Sequence, residues 1–138
     1  ALPISVLSPQ PGLGDLDTLV ERVRGAGLEV DLRIDEGLTG LPPVIGLSAY
    51  RIIQEALTNT LKHAGSARVE VRVARGDGAV TIEVTDTGRG PASAEEPGQG
   101  LLGMRERAVL LGGDLSAGPG AGGGFVVRAR LPLNGATP

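Results

Sequence analysis

The residues best suited to chemistry gather in one predicted helix, residues 49–65, which reads AYRIIQEALTNTLKHAG. This segment holds the chain's only lysine, Lys62, and its only histidine, His63, together with Glu55 and Asn59. At about 100° per residue, these four side chains fall within roughly 120° of arc, and apolar residues fill the other side. An amide oxygen is a hard, neutral ligand for Mg²⁺, a lysine ammonium binds phosphate, and a glutamate accepts a proton. The polar strip therefore suits a metal-bound polyphosphate.

The same strip could instead be a solvated helix face, which is the usual meaning of such a pattern. Two features favour a binding site. Solvated faces repeat Glu, Lys, Arg and Gln, whereas asparagine, here Asn59, is a poor helix former. The chain also has twelve arginines against one lysine, so the lysine beside this asparagine does not reflect a general use of lysine on the surface.

A second candidate, Asp86, ends the predicted strand AVTIEVTD. Strand residues alternate between the two faces of a sheet, so Asp86 points the same way as the buried valines and isoleucine of this strand. A buried carboxylate is costly unless groups donate hydrogen bonds to it, and the sequence offers no obvious cationic neighbour. Either Asp86 bonds its own turn, DTGRG, where Gly88 and Gly90 can take positive φ, or the missing donor belongs to a ligand such as the exocyclic amine of adenine.

A glycine-rich segment, GQGLLGM, places Gly98, Gly100 and Gly103 in the pattern G-x-G-x-x-G. Backbone amides at the start of the following helix can cradle a phosphate. A dinucleotide-binding unit would need a strand directly before this pattern and an acidic residue about 20 positions after it. Here a polar loop precedes the pattern and a predicted hairpin follows its helix, so we reject a dinucleotide-binding unit and retain a phosphate loop. The signature segments of eukaryotic-type protein kinases are absent from the sequence.

Hydrophobic periodicity predicts the elements that hold these residues in place. It predicts helices over 15–26, 50–64 and 101–111 and strands over 28–34, 67–75, 79–86, 114–118 and 125–133, with loops over 37–46 and 87–100. A Gly-Asp-Gly turn joins the second and third strands into a hairpin, and the last two strands form another. This order predicts an α+β fold, a two-layer sandwich in which helices cover one face of a mixed sheet.

Composition excludes several classes of protein. A chain of 138 residues with 41% apolar and 21% charged residues is typical of one globular domain. The absence of cysteine excludes disulfides and thiolate sites, and a net charge of −3 gives no electrostatic case for binding nucleic acid. No apolar run approaches the roughly 20 residues of a membrane span, and no signal peptide opens the chain, so we expect a cytoplasmic domain with no direct membrane contact.

Taken in order, three segments resemble the ATP-binding catalytic domain of bacterial sensor histidine kinases. This fold, the Bergerat fold, is shared with DNA gyrase, mismatch-repair and heat-shock chaperone ATPases. RIIQEALTNTLKHA resembles the N box, DTGRG the first glycine box and GQGLLGMRER the second. The wording QEALTN…KHA with GLLGMRER is most similar to the subfamily that signals to response regulators with helix-turn-helix output domains. The resemblance spans nearly the whole chain.

The resemblance implies roles at the matching positions. Glu55 corresponds to the N-box acid that acts on a phosphoacceptor histidine as base or hydrogen-bond acceptor, and Asn59 to the Mg²⁺ ligand. Asp86 corresponds to the carboxylate that reads the adenine amine. The other implied ATP-binding positions are Lys62, His63, Gly88, Gly90, Gly98, Gly100, Leu101 and Gly103.

Two departures from the family pattern carry expectations of their own. FVVRARL has no hydroxyl where many relatives have a threonine supporting the adenine pocket, so a water or Thr85 would take that place, or the pocket would be looser. His63 lies in the N box and no other histidine exists, so the phosphoacceptor should lie in an upstream dimerisation region. Residues 1–14 would then be a linker and residues 15–138 the catalytic domain. The implied partners are Mg-ATP, that dimerisation region and a response regulator.

Two other functions remain open from the sequence. One is a protein serine kinase of the anti-sigma-factor type, built on the same scaffold. The other is an interaction module that binds a nucleotide without transferring phosphate.

Overall fold

The structure is a computed structural model that describes residues 10–63, 68–87, 99–120 and 123–133. The described residues include three α-helices and five strands. The helices are α1 (Leu16–Gly25), α2 (Pro43–His63) and α3 (Gln99–Leu110), and the strands are β1 (Glu29–Ile34), β2 (Arg68–Gly76), β3 (Ala79–Asp86), β4 (Asp114–Pro119) and β5 (Phe125–Pro132). The predicted order of helices and strands is confirmed.

The strands form one mixed sheet in the order β1-β2-β3-β5-β4. β1 and β2 are parallel and are connected through α2, whereas the other neighbouring pairs are antiparallel. The β2–β3 hairpin turns at Asp77 and Gly78, whose φ angles are 54° and 73°. Positive φ at both central residues is what a two-residue type I′ turn requires, so the predicted Gly-Asp-Gly turn is confirmed.

The helices cover one face of this sheet. α2 contacts β3 at the centre, α1 contacts β1 at one edge, and α3 contacts β4 at the other edge. Alternate residues of β2, namely Val69, Val71 and Val73, are fully buried beneath the helices, and the residues between them are exposed. The opposite face carries charged side chains, including the ion pair between Arg128 and Glu83. The predicted two-layer α+β architecture is therefore confirmed.

Helix α2 begins at Pro43, several residues earlier than predicted. The sequence LPPVIG favoured a loop through residue 46 because prolines interrupt helices. Proline is nevertheless well tolerated in the first helical turn, where its missing N–H would have no intrahelical partner. The apolar period of the helix also extends upstream, since Ile45 and Ala49 are buried. The predicted loop over residues 43–46 is thus wrong, and α2 gains two turns that anchor its start to the core.

Ordered structure also precedes the predicted start of the domain at Asp15. A 3₁₀ turn spans Leu13–Asp15, directly before α1, and contacts α2. Leu13 packs against the buried core. The boundary between linker and domain predicted at residue 14 falls inside this turn. None of the described helices combines the length and apolar character of a membrane span.

A polar contact joins α2 to the sheet inside this apolar layer. Thr60 and Asp86 are only 5% and 7% exposed. The Thr60 hydroxyl lies 3.4 Å from Oδ2 of Asp86 and 3.1 Å from the backbone oxygen of Ala56. It has one proton to share between these two acceptors. The Asp86 carboxylate also accepts a hydrogen bond from the Phe125 N–H, at 3.3 Å from Oδ1, so the contact ties α2, β3 and β5 together.

Replacing Thr60 with valine tests this contact, because valine keeps the shape and removes the donor. We expect Thr60→Val to lower the free energy of unfolding by about 1–3 kcal/mol, the cost of withdrawing a donor from a buried acceptor. Thr58→Val is the matched control: its hydroxyl donates to the backbone oxygen of Gln54 on a half-buried part of the same helix. That control should change stability by about 0.5 kcal/mol or less. Equal losses in urea denaturation would show that the contact with Asp86 contributes nothing.

Candidate nucleotide site

The polar strip of α2 lies along its incompletely buried side. Glu55 and Asn59 are half-buried, and Lys62 is exposed. Glu55, Asn59 and Lys62 are each about one helical turn apart, so they lie along a single stripe of α2. His63 is the last residue of α2, and its side chain lies outside the described residues. The strip is thus neither a fully solvated face nor part of the core. Its partial exposure would allow these side chains to contact a ligand.

Asp86 ends β3 with its carboxylate directed toward α2, as the strand alternation predicted. The sequence showed no obvious cationic neighbour for it, and the two donors described here are neutral groups. Thr60 and the backbone of Phe125 both donate to it, and these partners lie distant in sequence. The carboxylate is therefore held by α2 and β5. Since Thr60 follows Asn59 directly, this contact brings the polar strip next to Asp86.

Thr60 contacts the candidate site residue Asp86 and was not among the residues predicted from the sequence. The sequence feature that could have identified Thr60 is a hydroxyl residue on the helical face that packs on the sheet. Thr85, expected as one replacement for the absent threonine of the last strand, has the opposite strand parity to Asp86. It lines a shallow depression with Arg33, Glu70 and Glu83 on the charged face of the sheet. The hydroxyl beside Asp86 is therefore that of Thr60, and Thr85 does not serve there.

Gly124 is a second position that sequence reasoning missed. A methyl group built there would overlap the backbone oxygen of Asp86. The close contact is between the backbone of Gly124 and the backbone of Asp86. A side chain at position 124 would therefore push β5 away from the end of β3. The feature that could have indicated it is the run of glycines between the last two predicted strands.

The start of α3 carries two of the predicted phosphate-binding positions, Gly100 and Leu101. They are the second and third residues of the helix. Amides in the first turn of a helix have no intrahelical acceptor and attract anions. Gly103 lies one turn further along, where an added methyl would meet no described atom within 4 Å. Gly88, Gly90 and Gly98 lie outside the described residues.

Gly100 lies directly against Glu55. A methyl group added at Gly100 would stand 2.5 Å from Oε2 of Glu55 and 3.0 Å from its Cδ. The contact between α2 and α3 therefore places the N-box carboxylate at the start of the helix that carries the glycine segment. Together with the Thr60–Asp86 contact, it gathers Glu55, Asn59, Asp86 and Gly100 around two turns of α2.

The donors present suit a magnesium ion that takes most of its ligands from elsewhere. Within the described part of the chain, no group of three or more carboxylate, histidine or cysteine side chains converges on one point. Mg²⁺ usually keeps several waters and takes phosphate oxygens with one or two protein ligands. A single half-buried amide, Asn59, fits that demand, whereas an all-protein metal cage is not built from these residues.

The position of this site follows from contacts rather than from a large cavity. An open cleft of about 740 Å³ lies between the 3₁₀ turn and the loop after β1, and its walls include Leu13, Leu38 and Leu41. None of the predicted site residues lines it. The cleft therefore gives no support to the nucleotide site.

Comparison with known proteins agrees with the fold. Residues 45–135 match the family described as histidine kinase-, DNA gyrase B-, and HSP90-like ATPase. The chain is 34% identical over 125 residues to the sensor histidine kinase YxjM of Bacillus subtilis, covering 88% of this chain and 30% of that protein. It is 37% identical over 87 residues to the oxygen sensor histidine kinase NreB of Staphylococcus carnosus, covering 61% and 25% of the two chains.

A solved structure is similar over most of the chain. The histidine kinase domain of a blue-light activated histidine kinase from Erythrobacter litoralis superposes with a TM-score of 0.72 and 26% identity, covering 88% of this chain and 59% of that one. The chain spans less than a third of the length of the two curated relatives. The family match covers well over half of the present sequence. The chain therefore belongs to the histidine kinase-, DNA gyrase B-, and HSP90-like ATPase family.

Proposed function

We propose that this chain is the Mg-ATP-binding catalytic domain of a sensor histidine kinase. It would transfer the γ-phosphoryl group to a histidine in a separate dimerisation domain. The observation that carries the proposal is the buried Asp86 carboxylate, held by Thr60 beside the Glu55–Asn59 strip. The similarity to proteins named sensor histidine kinases supports it.

In this proposal each segment contacts a different part of the bound Mg-ATP. Asp86 accepts a hydrogen bond from the exocyclic amine of adenine, and Gly88 and Gly90 shape the floor of the pocket. Asn59 is the protein ligand of Mg²⁺. The positive charge of Lys62 and the polar ring of His63 face the phosphates. The amides of Gly100 and Leu101 bind phosphate oxygens, and Gly98 and Gly103 shape the hinge of the lid.

Glu55 is the residue we assign to the acceptor histidine. One imidazole nitrogen forms a bond to the γ-phosphorus as the bond between that phosphorus and the bridging oxygen breaks, and ADP leaves with the electron pair. The proton on the other imidazole nitrogen is accepted, or held in a hydrogen bond, by the Glu55 carboxylate. Bound Mg²⁺ supplies neutralisation of charge on the phosphate oxygens. The rest of catalysis is positioning by the protein.

The partners follow from this assignment. His63 belongs to the N-box segment on α2, so the phosphoacceptor histidine is supplied by a dimerisation domain. The phosphoryl group would then pass to a response regulator, one with a helix-turn-helix output domain. We place the domain in the cytoplasm, where ATP is available, with the stretch before α1 as the linker to the dimerisation domain.

Transfer to a separately supplied phosphoacceptor domain tests the function. With γ-labelled ATP, we expect acid-labile phosphohistidine to accumulate on the histidine-bearing domain. Acid-stable label on serine would support the serine-kinase alternative, and tight ATP binding without label on any domain would support the interaction module. Glu55→Gln should slow the transfer by about a hundredfold or more, the usual share of a positioned base, while leaving ATP affinity nearly unchanged.

The choice of purine tests the role of Asp86. Its carboxylate accepts from the adenine amine and repels the carbonyl oxygen of guanine. We expect ATP to bind at least about tenfold more tightly than GTP, since a hydrogen bond to a charged group contributes roughly 1.5–3 kcal/mol. Asp86→Asn should narrow that ratio, because its amide can both donate and accept. Calorimetric titrations that give equal affinities for the two nucleotides in the wild type would remove the adenine-reading role.

Asn59→Ala tests the metal ligand. We expect Mg-dependent ATP affinity to fall by about tenfold or more, because the amide oxygen is the one protein ligand assigned to the ion. The melting temperature should hardly change, since Asn59 is half-buried and alanine is the better helix former. Gln54→Ala is the matched control, another half-buried amide on α2 whose oxygen accepts from Arg51. A collapse in stability of Asn59→Ala, with no specific loss of Mg-dependent binding, would make Asn59 a structural residue.

A further inference from the structure

The open cleft beside the start of α2 is a surface that the proposed nucleotide site does not use. One wall is formed by residues 10–14, which run into the 3₁₀ turn, and the other by residues 34–42 after β1. Its volume of about 740 Å³ falls within the roughly 300–1,000 Å³ of sites that bury a drug-sized molecule. The cleft therefore has room for several aliphatic side chains.

Both walls of the cleft are fixed by hydrogen bonds. On one side, the Asp15 N–H donates to the backbone oxygen of Gly12 at 3.0 Å, and the Gly12 N–H donates to the Asp15 carboxylate at 2.9 Å. On the other side, the Arg75 guanidinium of β2 donates to the backbone oxygen of Gly37 at 2.9 Å. The cleft is thus preformed, and an occupant does not have to order its walls.

The walls carry apolar side chains that the described residues cover only in part. Ile34 has the same strand parity as the buried Val30, so it faces the helix layer, yet it is 40% exposed. Leu13 and Leu41, across the cleft from each other, are half-buried. An apolar occupant would remove the rest of this aliphatic surface from water, which stabilises the folded state.

The chain itself supplies an apolar segment at the rim of this cleft. Residues 1–9 read ALPISVLSP and lie outside the described residues. Gln10 is the first described residue and lines the cleft, so the segment joins the described structure at the cleft itself. At about 3.5 Å per extended residue, Leu7 lies within roughly 11 Å of Gln10 and Ile4 within roughly 21 Å. These apolar side chains can therefore reach the cleft.

Charge also favours this segment over other occupants. Asp35 and Glu36 are the charged residues of the lining, and both are acidic. They would repel an acidic partner, and a second copy of the chain would bring a net charge of −3. Residues 1–9 carry no charged side chain, so they enter the cleft without this repulsion.

We propose that the cleft is the docking site for residues 1–9 of this chain. The aliphatic side chains that fill it are those of Leu2, Ile4, Val6 and Leu7. Their burial holds the linker against the start of α2, so packing sets the direction in which the chain enters the domain. This docking does not depend on phosphoryl transfer, because the polar strip of Glu55 and Asn59 lies further along α2.

A single introduced thiol tests the docking, because the chain contains no cysteine. Ile34→Cys keeps a small apolar side chain in the cleft. We expect a maleimide to label this thiol at least about fivefold more slowly in the chain with the native segment than in a serine variant of the segment, because docking shields it. The serine variant replaces Leu2, Ile4, Val6 and Leu7.

Val109→Cys on α3 is the matched control. Its native side chain is 59% exposed and does not line the cleft. The labelling rate of this thiol should agree within about twofold between the native and serine segments. Equal rates for Ile34→Cys with the two segments overturn the proposal. Protection that grows with protein concentration also overturns it, because a second copy of the chain would then cover the cleft.

Thermal unfolding gives a second measurement on full-length chains. The serine variant should lower the melting temperature by roughly 3 °C or more when Ile34 is present. The loss should be smaller in an Ile34→Ser background, because the apolar partner in the cleft is gone. Equal losses in the two backgrounds would contradict docking at this cleft. Neither measurement uses nucleotide, so failure of the docking and failure of the proposed function are distinguishable.

Discussion

The buried carboxylate of Asp86 is the constraint around which this site is arranged. A carboxylate at 7% exposure must receive hydrogen bonds, and it receives them from α2 through Thr60 and from β5 through the Phe125 N–H. These donors lie 26 and 39 residues away in sequence. The carboxylate at the end of β3 therefore depends on contacts with both α2 and β5.

This constraint also fixes the rotation of α2. The face that carries Thr60 must point at the sheet, along with the fully buried Ile53 and Leu57. At about 100° per residue, the stripe through Glu55 and Asn59 is then left half-buried beside the end of β3. A rotation of α2 that exposed Thr60 would remove a hydrogen-bond donor from the Asp86 carboxylate. The same rotation would bury the polar stripe. One helix rotation thus serves the stability of the fold and the geometry of the site together.

Glycine serves two different purposes around the same site. At Gly124 it allows backbone to approach the backbone of Asp86, which the pairing of β3 with β5 demands. At Gly100 it leaves space for the side chain of Glu55, which the packing of helices does not demand. The first contact involves backbone atoms, whereas the second involves the end of a flexible side chain. The number of glycines in the sequence reveals neither contact, because each depends on which atom occupies the space that a methyl group would fill.

The sequence by itself determined the elements, the hairpins and the family. Period-two alternation and the Gly-Asp-Gly turn defined the β2–β3 hairpin, and the inward direction of Asp86 followed from strand parity alone. The start of α2 could not be read locally, because a proline that ends most helices is acceptable in a first turn when Ile45 and Ala49 pack on the core. The assigned roles in binding and catalysis remain proposals. Only the tertiary structure decided that Thr60 contacts Asp86 and that Gly100 lies against Glu55, because each contact joins segments whose distance in space is set by packing and not by sequence separation.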